Sequence, residues 1–148
     1  MTVHTSIRRA TTDDEARILD LMSGFCQSEG KTFDRDLARA GLVPLLKSDT
    51  HGTVLVAEHD NGLDAYAVIC WSWSVEIGGP EACLDEIYIA TRGQGTGSAL
   101  ISAVRDACAA HGMRRIFLET ESVNERARQL YRRHGYEQED SIWMALTL

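Results

Sequence analysis

Within the stretch from Leu84 to Val104, LDEIYIATRGQGTGSALISAV, an apolar run gives way to Gly93, Gly95 and Gly97, spaced two apart, and then to a helical pattern. Glycine at such a point costs stability unless something must come close to the backbone. The start of a helix presents unpaired amide N–H groups and about half a positive charge, so an anion gains there, and phosphate is the leading candidate. A tight strand-to-helix turn without a ligand would also use glycine. Arg92, beside the three glycines, adds a cation suited to phosphate.

Two phosphate-binding patterns fit poorly. A nucleotide-hydrolysing loop requires GxxxxGK[ST], and this loop has no lysine. A dinucleotide fingerprint requires GxGxxG and an acid about 20 residues further on. Glu119 or Glu121 could be that acid, but Ser98 stands where the third glycine belongs, and only 27 residues follow Glu121.

The elements that must position the loop follow from period and punctuation. Thr2 to Arg9 alternates as a first strand, and TTDDEARILDLM follows as a capped helix with Ala16, Ile18, Leu19 and Met22 apolar. A second helix is expected from about Phe33 to Lys47, with Leu37, Ala40 and Leu45 on one side and a kink or break at Pro44. GTVLVAEHDNGLDAYAVICWSWSV reads as two strands joined at Asn61-Gly62. Trp71 and Trp73 alternate to one face of the second strand, for core or dimer packing or as a hydrophobic substrate wall.

EACLDEIYIA is the strand that enters the loop. The helix after it runs from about Gly97 to His111, carries Ala99, Leu100, Ala103, Val104, Ala107 and Cys108 on one face, and ends at Gly112. RRIFLETES is a strand, NERARQLYRRH a helix closed by Gly135, and SIWMALTL a last strand. The order describes one mixed α/β domain over residues 1–148, antiparallel in its front half with a βαβ unit at its centre.

Composition narrows the function. The chain is 44% hydrophobic and 25% charged, with a net charge of −7, which argues against nucleic acid or an anionic membrane surface as the main partner. A cationic small substrate suits that balance better. Cys26, Cys70, Cys83 and Cys108 form no CxxC pair and no metal-ligand spacing, and the five histidines share no spacing, so no metal site is expected. Scattered reduced thiols, no apolar leader in MTVHTSIRRATTDDEA and no run long enough to span a bilayer predict a cytoplasmic protein.

RGQGTG, with Arg92, Gly95 and Gly97 as R-x-x-G-x-G, resembles the pyrophosphate loop of the GNAT superfamily of acetyl-CoA-dependent N-acetyltransferases. LDEIYI resembles the strand before that loop. LETESVNERARQLYRRHGYE resembles the second cofactor motif, N-x-x-A-x-x-x-Y-x-x-x-G-[FY], at Asn124, Ala127, Tyr131, Gly135 and Tyr136. IRRATTDDEARILDLM resembles the opening strand and helix. The resemblance implies a central mixed sheet flanked by helices on both faces and split between the loop's parent strand and RRIFLETE. Pantetheine would pair with the backbone of Ile87, Tyr88 and Ile89, and the diphosphate would sit on the amides of Gly93, Gln94, Gly95, Thr96, Gly97 and Ser98 near Arg92. Asn124 and Ala127 would be cofactor contacts. Asn124 could equally cap its helix, while Ser122 to Glu125 reads as a capping box one turn earlier.

The implied chemistry is acyl transfer from a thioester to an amine. An alkyl amine has a pKa near ~10, so a base must take a proton before attack. A backbone N–H near Ile87 to Ile89 would hold the oxyanion, and a phenol would protonate the departing thiolate. Tyr131 matches the family's donor position; on periodicity alone, with Ala127, Leu130 and His134, it reads as core. By likeness to polyamine-acetylating members with an adjacent acid pair, Glu86 is the expected base and Asp85 a substrate contact, with strand alternation sending them to opposite faces. Glu58, Glu119 and Glu121 are weaker alternatives.

The acceptor would be a small-molecule primary amine, a polyamine, an aminoglycoside or an amino-acid-like molecule, and Glu29, Asp34 and Asp36 in the connection of the first two helices hint at a cationic one such as a polyamine or aminoglycoside. A peptide or protein amino group, or an acyl-CoA-binding module without catalysis, is the alternative. Many family members dimerise, and SIWMALTL is a segment that could exchange across a homodimer interface.

Overall fold

The computed structural model describes residues 4–148; Thr2 and Val3 of the expected first strand lie outside the described residues. Five strands form one sheet in the order β1-β2-β3-β4-β5: β1 Ser6–Arg9, β2 Gly52–His59, β3 Gly62–Ser74, β4 Gly79–Ile89 and β5 Ile116–Phe117. The first three pairings are antiparallel and the β4–β5 pairing is parallel. Among the described residues, four α-helices, α1 Glu15–Ser28, α2 Arg35–Lys47, α3 Thr96–Ala110 and α4 Glu125–Arg133, and a short 3-10 helix at Thr12–Asp14 complete the fold.

The centre of the sheet is apolar on both faces, and each face has its own core. Ile18 and Leu19 of α1 and Leu42, Leu45 and Leu46 of α2 pack on Val54, Val56, Tyr66 and Val68. On the other face, Leu100, Val104 and Cys108 of α3 pack on Leu55, Ala57, Ala65, Ala67 and Ile69. Period-2 alternation along β2 sends neighbouring residues to opposite cores, so a strand buried on both sides reads as a continuous apolar run.

Several expectations change. The buried stripe of α2 is Leu42, Leu45 and Leu46, whereas Leu37 and Ala40 are exposed. The helix is unbroken at Pro44, because its buried leucines on both sides of the proline hold it to the core. The hairpin tip falls one residue early: Asp60 and Asn61 connect the strands, and Gly62 opens β3 at φ +108°. Trp71 packs against His111 at the end of α3, with ring centroids 4.7 Å apart, and Trp73 is exposed. RRIFLETES contributes only Ile116 and Phe117 to the sheet, and SIWMALTL forms no strand. A strand needs a ladder partner, and alternation alone does not supply one.

The chain's entry into α1 is pinned by an ion pair. Both terminal nitrogens of Arg8 donate to the carboxylate of Asp14, at 2.8 and 2.9 Å, and the Thr11 amide donates to Asp14 Oδ2 at 2.8 Å. The Arg8 guanidinium holds the Asp14 carboxyl below the usual aspartate range. A depressed folded-state value means the contribution is present above the ordinary aspartate pKa of ~3.9 and is lost as pH falls through the lower folded value. Asp14→Ala should therefore lower unfolding free energy by about 1–3 kcal/mol at neutral pH. The gap to the unsubstituted chain should begin to narrow below about pH 4 and close only below the depressed folded-state value, in urea titrations run across pH.

Candidate active site

The site is organised around β4. Its parallel ladder with β5 consists of Ala82 with Ile116 and Cys83 with Phe117, and stops there. From Leu84 to Ile89 the edge of β4 that faces away from β3 has no strand partner among the described residues. That edge leads into the glycine loop. Gly93 and Gly95 adopt φ of +83° and +76°, a region disfavoured for residues with a Cβ. Gly95 is also the N-cap of α3, and no side chain caps the helix or places an acid in its first turn. The amides of the first turn are therefore open to an anion. Thr96 is buried in that turn, and its Oγ1 has no hydrogen-bond partner among the described residues.

On the α1 face of β4 lies a carboxylate that burial has tuned. Val68 pairs with Glu86 and Ile69 with Leu84, so Asp85 is an extra residue, a β-bulge. The bulge interrupts strict alternation: Leu84 and Ile87 pack toward α3, whereas Tyr88 packs with the α1 core. The expected opposition of Asp85 and Glu86 across the sheet does not follow once the bulge is present. Asp85 is exposed, and its charge acts on Glu86, Cys70 and Cys83.

Glu86 accepts a hydrogen bond from the hydroxyl of Tyr66, a fully buried tyrosine on β3. Desolvation raises the Glu86 pKa, the Tyr66 hydrogen bond opposes that, and the Asp85 charge adds to it, with a net upward shift. Glu86 forms part of the wall of a cavity of about 240 Å³ whose other walls include Met22 and Cys26 of α1, Phe33 of the connection and Leu37 of α2. Asp34 also lines it, while its carboxylate caps α2 by accepting from the Leu37 amide at 3.1 Å.

The second motif lies on α4. Tyr131 is half-buried beside the α3 core, with its ring centroid 5.7 Å from that of Tyr136. Burial pushes its phenol pKa upward, so it carries its proton at neutral pH. Asn124 caps α4, its Oδ1 accepting from the Ala127 amide at 3.1 Å, and the alternative cap at Ser122 is not used. Ser98 Oγ and His134 Nε2 lie 2.7 Å apart, joining the first turn of α3 to the end of α4. Gly97 lies beside β4 and α4: a Cβ there would make ordinary contacts with Ile89 Cδ1 and Leu130 Cδ2, both at 3.5 Å.

The structure thus gathers Glu86, Ile87, Tyr88, Ile89, the loop from Gly93 to Ser98 and Gly97's neighbours on α4 around one strand. Arg92 is exposed at the loop. Glu58, one alternative base, pairs with Arg8 at 3.2 Å instead. Tyr66 and His134 escape the sequence reading. Tyr66 meets Glu86 through strand register, and His134 meets Ser98 through helix docking; neither has a local signal.

A mixed sheet split beside a strand, with a glycine loop opening a helix at the split, defines the architecture of an acyl-CoA N-acyltransferase. The profile of the Acetyltransferase (GNAT) family matches residues 17–136. The chain belongs to the GNAT acetyltransferase family and is an acyltransferase. It is 27% identical over 136 residues to the uncharacterized N-acetyltransferase YhfO of Bacillus subtilis (strain 168), covering 90% of this chain and 91% of that one. An integron cassette protein from the mobile metagenome of Cole Harbour Salt Marsh superposes with a TM-score of 0.85 at 26% identity, covering 96% of this chain and 90% of that one. The aminoglycoside N-acetyltransferase AAC(6')-Iy, solved in complex with CoA, shares the fold with a TM-score of 0.84 at 18% identity, covering 99% and 97%. No group of three or more metal-ligating side chains occurs among the described residues, and no described helix is long and apolar enough to cross a membrane.

The two kinds of glycine in the loop can be separated by stability. Gly95→Ala forces a Cβ into the left-handed region and should cost about 1–2 kcal/mol. Gly97→Ala meets only ordinary contacts in a helix and should be neutral or stabilising by up to about 1 kcal/mol. Urea unfolding midpoints of the two variants check the contrast.

Proposed function

We propose that the chain moves an acetyl group from acetyl-CoA to the primary amine of a small cationic molecule by direct attack within a ternary complex. The observation that carries this reading is the relation of the two faces of β4. Its open edge and the glycine loop suit an extended pantetheine and a diphosphate, and Glu86, on the same strand, borders a cavity between α1 and α2. The donor would lie along Ile87, Tyr88 and Ile89. Its diphosphate would sit on the amides from Gly93 to Ser98, with Arg92 alongside and contacts at Asn124 and Ala127. Asn124 Oδ1 is committed to the helix cap, which leaves its amide N–H groups for such a contact.

Glu86 takes one proton from the ammonium of the acceptor, whose cation Asp85 and Asp34 help to attract. The freed amine forms its C–N bond at the acyl carbon as the C–S bond breaks, and a β4 amide holds the charge that develops on oxygen. Tyr131 gives its proton to the departing sulfur and regains one from the new amide nitrogen through water. The proton on Glu86 leaves to solvent. The apolar part of the cavity wall, Met22, Phe33 and Leu37, suits an acceptor with an aliphatic or ring body rather than a bare charge. The aminoglycoside acceptor named for AAC(6')-Iy is one such molecule.

A panel of polyamines, aminoglycosides, amino acids and peptides, read by free thiol release, tests the reading directly. Thiol release with a small amine is expected; release only with peptides would shift the acceptor class, and CoA binding in calorimetry without release from any amine would leave a non-catalytic module. Tyr131→Phe should lower kcat about 10²–10⁴-fold with little change in CoA affinity. Equal turnover at saturation would remove the acid role.

The pH profile tests Glu86 separately. A base with a raised pKa gives an acid limb above the ordinary glutamate value of ~4.3. Activity is present above that limb and falls as pH drops through it. Tyr66→Phe removes a hydrogen bond that favours the carboxylate, so the limb should move to higher pH. Glu86→Gln should abolish it.

A further inference from the structure

The amides of the glycine loop do little to hold the loop itself. From Arg92 to Ser98 no backbone N–H has a hydrogen-bond partner among the described residues. The ladder with β3 ends at Ile89, and the Ala90 amide adds one last bond to the Asp64 carbonyl at 2.9 Å. Close packing does not replace the missing bonds on the side of α1, where a cavity of about 330 Å³ has Arg17, His59, Asp64, Thr91 and Gln94 in its wall. Amides left open for an anion cannot also fix the shape of the loop, so that shape must be set by a neighbouring element.

Asp64, on β3, reaches the root of the loop. Its Oδ1 accepts from the Thr91 hydroxyl at 2.7 Å and its Oδ2 from the Thr91 amide at 3.3 Å. Thr91 is followed by Arg92 and then by Gly93, where φ turns positive. The Asp64 side chain is mostly buried, and that of His59 stands beside it with Nε2 3.4 Å from Oδ2. The Thr5 hydroxyl in turn lies 3.1 Å from His59 Nδ1. Both carboxylate oxygens are therefore directed at one residue of the loop's entry. By charge alone a carboxylate near an anion site opposes the anion. What Asp64 offers the loop is its pair of acceptors.

We propose that Asp64 is a positioning residue for the acyl donor: through Thr91 it fixes the entry to the glycine loop, so that the amides from Gly93 to Ser98 are arranged before the diphosphate arrives. The proposal rests on the reading that CoA lies along β4 and the loop. Asp64 acts through Thr91 and needs no contact with the donor. A loop that is already anchored loses little freedom on binding, so the anchor governs affinity for the diphosphate. It does not govern the pantetheine arm, which pairs with β4 itself.

Titrations of CoA, and of pantetheine as the same amide arm without the diphosphate, decide the matter. Asp64→Ala should weaken CoA binding by roughly tenfold. Thr91→Val removes the hydroxyl bond but keeps the amide bond and the fold, and should weaken CoA binding by a smaller factor. Pantetheine affinity should stay within about twofold in both variants. Asp64→Asn can keep both contacts, Oδ1 accepting from the Thr91 amide and Nδ2 donating to its hydroxyl, while losing the charge. It should bind CoA at least as tightly as the unaltered chain. An unaltered chain that binds no CoA overturns the donor reading and this proposal with it. Where the unaltered chain does bind CoA, three results overturn the anchor alone: unchanged CoA affinity in Asp64→Ala and Thr91→Val, an equal loss for CoA and pantetheine, or a loss in Asp64→Asn as large as in Asp64→Ala.

Discussion

The site depends on a single discontinuity, the end of the parallel ladder between β4 and β5 at Cys83. On its other edge β4 pairs with β3 from Gly79 to Ile89, interrupted only by the bulge at Asp85, so the strand is held on one side while the other edge of its backbone opens. Unpaired backbone groups are costly unless water or a ligand meets them. A strand held firmly on one side and free on the other is therefore a template for an extended molecule with amide groups of its own. The loop that follows extends the same logic. Gly93 and Gly95, both at positive φ, turn the chain from that free edge into the first turn of α3, whose amides no side chain caps.

The bulge at Asp85 gives the strand a second use. Were Asp85 a regular ladder position, Glu86 and Leu84 would share a face, and the carboxylate would be driven toward the apolar packing under α3. With it, Glu86 meets Tyr66 and the cavity beside α1. The choice of tyrosine as its partner matters. A guanidinium would neutralise the carboxylate and drop its pKa, as Arg8 does to Asp14. A phenol orients the carboxylate and limits the upward shift while leaving its charge free. Such a group can both attract a cation and take a proton from it.

What could be read from the sequence was local. The glycine loop, the α3 stripe, the closure of α3 and α4 at Gly112 and Gly135, and the second motif are set by residues a few positions apart, and each lies where its spacing puts it. The errors arose where a distant partner decides. Leu37 faces the cavity because α1 lies against the other side of α2. Asp85 and Glu86 are governed by a register shift with β3, which alternation within one strand cannot reveal. Tyr66 is visible in the sequence only as one more aromatic residue of a strand, since its role comes from pairing across to β4. RRIFLETES and SIWMALTL have the right composition for strands, but only Ile116 and Phe117 of them find a ladder partner.

The two walls of the split are held unequally. β4 lies between two cores, packed by α1 on one face and α3 on the other. The opposite wall consists of two paired residues, an unpaired continuation and a helix with no buried residue. Whatever orders that wall before a ligand arrives removes an entropy cost that the ligand would otherwise meet on binding. Linkage then requires the converse: a ligand that spans both walls favours whatever holds the weaker one. Tyr131 lies on that weaker side, while Glu86 lies on the stronger. In the proposed reaction the proton acceptor is thus built into the firmly packed half of the molecule, and the position of the proposed proton donor is only as well defined as the packing around α4.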